Sequence, residues 1–112
     1  MELKKLPIPK SFMMHGQVVT VEYDSKLGNI AGNRGEDHNG YNRIILQPGV
    51  EGDPRPQSWV EQAFLHELTH EILYHMESKF NDDEKFVNLF ASLLHEALVT
   101  AEYEEEKNGK KR

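Results

Sequence analysis

The sequence predicts a small α+β domain, with about three strands of sheet followed by two packed helices. Three observations carry this. In the first half, apolar and polar residues alternate between glycine- and proline-rich breaks, while in the second half apolar residues recur at helical spacing. Strands and helices are segregated along the chain, which gives α+β rather than alternating α/β. The 112 residues suffice for one core and are too few for two, so residues 1–103 are expected to form a single domain.

The elements follow in order. GQVVTVEYD, Gly16 to Asp24, sets Val19, Val21 and Tyr23 on one face and Val18, Thr20 and Glu22 on the other, the period of a strand. SKLGNIAG leaves room for a short second strand around Leu27 to Ala31. GNRGEDHNG is rich in Gly, Asn and Asp and predicts a loop. YNRIILQ predicts the next strand. PGVEGDPRPQ ends it, because prolines cannot donate to a ladder. Ser58 and Glu61 have the spacing of a capping box, placing a helix from Ser58 to about His75 or Glu77. ESKFNDD interrupts. Asn81, Asp82 and Asp83 then offer a second cap, with acids favourable at the positive end of the helix dipole. Phe86, Phe90, Leu93 and Ala97, with Val87, Leu94 and Leu98, continue at helical spacing to about Ala101, an apolar pattern expected to pack the second helix on the first. Residues 104–112 are expected to be a charged, disordered tail.

Composition excludes several functions. No cysteine is present, so thiolate metal sites, disulfides and cysteine nucleophiles are ruled out. The 13 basic residues against 19 acidic ones are scattered and give net charge −6, so no nucleic-acid partner is expected. No apolar run approaches the ~20 residues of a membrane span, and the N-terminal stretch lacks the apolar centre of a signal peptide. A cytoplasmic address is the simplest expectation.

The chemistry sits in FLHELTHEIL, Phe64 to Leu73. Each helical residue advances ~100°, so His66 and His70 lie ~40° and one turn apart and can reach one ion. Glu67 stands too far round to share the ligand row, yet close enough to touch a water on that ion. This is the logic of H-E-x-x-H: two ligands and one general base fixed by helix geometry. Zinc suits imidazole and carboxylate donors where thiolates are absent. A catalytic zinc takes three protein ligands, so a third is needed. Positions 74 and 76, where other zinc motifs carry further histidines, hold Tyr and Met. His75 points away from His66. An acid on the second helix is the natural donor. Glu84 lies in its first turn, while Asp82 and Asp83 compete but read equally well as caps. His95 and Glu96 lie roughly three turns further on, ~16–18 Å away.

FLHELTHEIL followed by DDEKFVNLFASLL resembles the ImmA/IrrE-type zinc metallopeptidases and their short phage and mobile-element relatives. Asn88, Phe90, Ala91, Leu93 and Leu94 match the Asn, Phe-Ala and Leu-Leu positions of that family's following helix. The resemblance spans about Ser58 to Leu98. It implies a zincin-like domain of glutamate-zincin type, with Zn2+ held by His66, His70 and Glu84, and Glu67 as general base. It also implies a protein or peptide substrate, such as a regulatory protein. Two departures stand out. The interval from His70 to Glu84 is short, and Phe86 occupies a position where longer members carry glutamate. SprT-like proteins share the first motif but take a third histidine downstream, and His95 is badly placed for that. The expected function is thus a zinc-dependent peptidase. The alternative is a zinc-binding regulatory module that engages a partner without turnover. Tyr74, His75, His38 and Tyr41 are candidates for stabilising the oxyanion. YNRIILQ is a candidate edge for an extended substrate, although ordinary core is the better reading of that strand.

Overall fold

The computed structural model describes residues 3–25, 35–38, 42–50 and 52–104. The expected strand at Leu27 to Ala31, and the tail beyond 104, lie outside them. The α+β order holds: strands come first and two helices follow. The strands are β1 (Ser11–Met14), β2 (Gln17–Tyr23), β3 (Gly35–His38), β4 (Arg43–Leu46), β5 (Gly49–Val50) and β6 (Asp53–Pro54). The main sheet has four strands in the order β1-β2-β4-β3, one more than expected. β2 and β4 are parallel, and the two outer pairs are antiparallel.

β1 escaped the sequence reading because SFMM lacks clear alternation. It is held by its hairpin: His15 and Gly16 have φ of 50° and 76°, and Met14 faces Gln17 across the turn. Two successive positive φ values suit a two-residue turn whose twist matches the strands it joins. β3 falls inside the segment expected to be a loop. Its Gly, Glu, Asp and His have low strand propensity, but β4 supplies a partner through the Gly35–Leu46 to His38–Arg43 register, so tertiary pairing overrides local preference. β5 and β6 form a separate two-residue ladder within the proline-rich stretch, which ends β4 as expected.

Helix α1 (Gln57–His75) begins one residue early, and the expected Ser58–Glu61 capping box does not form. Pro56, with ψ 143°, takes the N-cap position, and its carbonyl accepts from the amides of Trp59 and Val60. Ser58 is therefore already helical, and Glu61 is drawn into the interior. The helix ends at Met76. The Ser78 amide donates to the Leu73 carbonyl and the Glu77 amide to that of Tyr74, with Glu77 left-handed at φ 54°. That pair of bonds is a Schellman stop. A 3-10 turn (Lys79–Asp82) then leads to α2 (Glu84–Thr100), where the Asp83 carboxylate accepts from the Phe86 amide as N-cap.

The core lies between the sheet and the helices. Val19 and Val21 of β2, Ile44 and Leu46 of β4, and Val60, Ala63, Phe64 and Leu65 of α1 are buried, with Ala91 of α2 against them. α2 buries Val87, Ala91, His95 and Val99. Phe86, Phe90 and Leu93, expected to seal the helix pair, are instead exposed. Residues 87, 91, 95 and 99, spaced four apart, form the row that turns inward in their place. No helix among the described residues is long and apolar enough to cross a membrane.

Candidate metal centre

His66 and His70 stand one turn apart on α1, their ring centroids 4.9 Å apart. The Schellman stop reverses the chain after α1, and the short 3-10 turn delivers Glu84, the first residue of α2, to the same point. Glu84 Oε2 lies 3.2 Å from His66 Nε2, and Glu84 Oε1 lies 2.8 Å from His70 Nε2. One ligand atom from each of the three residues falls within 4.8 Å of the others. Asp83 caps α2 with its carboxylate, and neither Asp82 nor Asp83 belongs to this cluster.

The sequence reading missed Asn81. In the 3-10 turn its Oδ1 sits 2.6 Å from His70 Nδ1. A carbonyl oxygen only accepts, so Nδ1 is the nitrogen that donates to Asn81, and Nε2, on the Glu84 side, is the one left to take an ion. The sequence signal was present but ambiguous, because an Asn before Asp-Asp reads as a helix cap.

The donor set fits a divalent metal. Bonds of about 2.0–2.1 Å to a shared ion place tetrahedral ligand atoms roughly 3.3 Å apart, and the two histidine–carboxylate separations, 3.2 and 2.8 Å, lie near that. The histidine side chains are 20% and 16% exposed and that of Glu84 is 61% exposed, so the cluster opens to solvent. Glu67, next to His66, is buried at 8% exposure.

The other described histidines serve elsewhere. His75 pairs with Glu71 through Nε2 at 3.2 Å and meets His15 through Nδ1 at 3.0 Å. It lies off the ligand row, as expected. The Tyr74 ring packs edge-on against it. Tyr41 and the side chain of His38 lie outside the description. His95 is buried against Glu61, with Nε2 to Oε1 at 2.7 Å, and Glu61 Oε2 also accepts from the Leu6 amide at 3.0 Å. Burial alone would raise the Glu61 carboxyl. Hydrogen bonds from His95, Gln57 and the Leu6 amide, with the charge of His95, outweigh it and hold the group below its ordinary value of 4.5.

β4 is an inner strand, flanked by β2 and β3. It is core, the better of the two readings of the sequence, and it offers no edge to substrate: β3 is the outer strand on that side. No family model, no curated protein and no solved structure matches the chain.

Proposed function

We propose that the protein is a zinc-dependent metallopeptidase of zincin type. One observation carries the reading: the Nε2 atoms of His66 and His70 converge on a single carboxylate, Glu84, at 3.2 and 2.8 Å, on the solvent-open side of an H-E-x-x-H helix. When bound, zinc would lower the pKa of its water to about 7 and polarise the scissile carbonyl. Glu67 would take a proton from that water and return it to the departing amine nitrogen. Asn81 holds the His70 ring, and Asp83 fixes the start of α2 that carries Glu84. An extended peptide would pair along β3 rather than β4.

The burial of Glu67 favours a second reading, a zinc-binding interaction module without turnover, because a base must reach water. Glu67→Gln separates the two. In the enzyme it retains about one zinc per chain and loses hydrolysis of any peptide the wild type cuts. Equal cleavage by the variant would remove Glu67 as base, and loss of zinc would make it a ligand. Elemental analysis finding no transition metal, with no uptake on adding zinc, would end both readings.

A further inference from the structure

Helix α2 is apolar on two sides. At ~100° per residue, Val87, Ala91, His95 and Val99 form the row turned inward. Phe86, Leu89, Phe90, Leu93 and Ala97 form a second row, on roughly the opposite side. That row is exposed: Phe86 at 36%, Leu89 at 59%, Phe90 at 45% and Leu93 at 57%. Phe80 in the 3-10 turn extends it. The rings of Phe80 and Phe86 stack at 4.9 Å, and those of Phe86 and Phe90 at 6.0 Å. A helix apolar on both sides is normally covered on both.

We infer that this face is the seam of a two-fold dimer, in which α2 packs antiparallel on α2 of a second copy. Area supports it. With full residue areas of roughly 200 Å2, the five large side chains leave on the order of 500 Å2 exposed. A standard interface uses ~800 Å2 per partner, and the polar flanks of the stripe supply the rest. Aromatic residues at its centre are the usual energetic anchors. Charge selects the partner. Lys85 and Glu96 are eleven residues apart, so they fall ~20° from one another on one flank, about 16 Å apart along the axis. Phe90 and Ala91 lie midway. A two-fold axis through that midpoint, perpendicular to the helix, keeps each flank on its own side and reverses its direction. Lys85 of one copy then meets Glu96 of the other, twice. A parallel pairing puts the two flanks on opposite sides and makes neither contact. Such self-complementarity is the mark of an isologous interface. Glu84 lies on the other side of α2, so the metal cluster stays open in the dimer.

Sedimentation equilibrium of the full chain across a micromolar to millimolar range tests this. The wild type is expected to show the mass of two chains. Leu93→Glu should weaken association at least a hundredfold while leaving far-UV circular dichroism and cobalt uptake unchanged, which keeps this result separate from the metal reading. Lys85→Glu and Glu96→Lys should each weaken it about tenfold, and the double exchange should restore it to within about threefold. A single-chain mass throughout would overturn the dimer and leave the face to a different partner. A dimer indifferent to Leu93→Glu would overturn the seam. A double exchange no tighter than the single variants would overturn the antiparallel pairing.

Discussion

A hydrogen bond of 2.6 Å from His70 Nδ1 to Asn81 Oδ1 does what the imidazole itself cannot: it decides which ring nitrogen faces the cluster. Partners of this kind typically carry 10–100-fold in metal affinity. Asn81→Ala should weaken zinc binding by that order. Asn81→Asp keeps an acceptor and should bind at least as well as wild type, which a role in folding the turn would not predict. Glu84→Gln and Glu84→Ala should cost as much affinity as losing His66 or His70. Asp83→Ala removes the cap, worth ~1 kcal/mol of stability, and Asp82→Asn touches neither cluster nor cap. Competitive zinc titration of the set would rank them, and unchanged affinity in both Glu84 variants would put the third ligand elsewhere. Glu61 gives a prediction in pH. Its folded pKa is lowered, so the native state favours the carboxylate. That stabilisation is present above the ordinary value of 4.5 and is lost as pH falls through the lower folded value. Glu61→Gln should therefore flatten the acid limb of the stability curve below about pH 4.5, read from urea midpoints between pH 3 and 7.

At the scale of elements, the end of α1 carries a visible cost. Glu77 holds φ 54° at the position where a Schellman stop favours glycine. Its side chain is exposed. Glu77→Gly should stabilise by about 0.5–1 kcal/mol, seen as a higher thermal midpoint with zinc affinity unchanged. A drop in midpoint would mean that Glu77 makes a contact worth more than its backbone strain. The elements also show what the sequence could and could not reveal. β2, β4 and both helices were legible because periodicity and breakers act within a few residues of one another. β3 was not, since GEDH is a strand only through β4 beside it. The capping box failed for the same reason in reverse: a good local partner for Glu61 lost to His95 and the Leu6 amide, far away in sequence. In the metal cluster, His66 and His70 follow from helix spacing alone. Glu84 needed the second helix to be placed, and Asn81 needed the turn's geometry.

The whole molecule hangs α2 on a thin inner face. Val87, Ala91 and Val99 are small, Leu94 packs partly buried against the core, and Phe86, Leu89, Phe90 and Leu93 are exposed. Two polar connections therefore matter more than their number implies. One is the Glu84 carboxylate with His66 and His70, at the start of α2. The other is the His95–Glu61 pair, eleven residues on, which also ties the N-terminal segment through Leu6; the Lys4 amide adds a bond to the Val99 carbonyl. A metal at the first would bind only the folded arrangement, because the ligands are brought together across the reversal between α1 and α2. Zinc at ~100 times its dissociation constant should add about 2.7 kcal/mol, which in a domain of this size raises the thermal midpoint by roughly 10 °C. The gain should also be uneven. In chelated protein the amides of α2 should exchange faster than those of α1, whose residues fill the core. Zinc should slow α2 most, beginning at its first turns, while β2 and β4 change little. Lowering the pH below about 4.5 should loosen the opposite end, as Glu61 protonates. Hydrogen exchange resolved by residue, with and without zinc, reads all of this at once. Equal slowing across both helices and the sheet would mean that α2 opens only when the whole domain does, and that the metal stabilises the fold globally rather than by holding one helix.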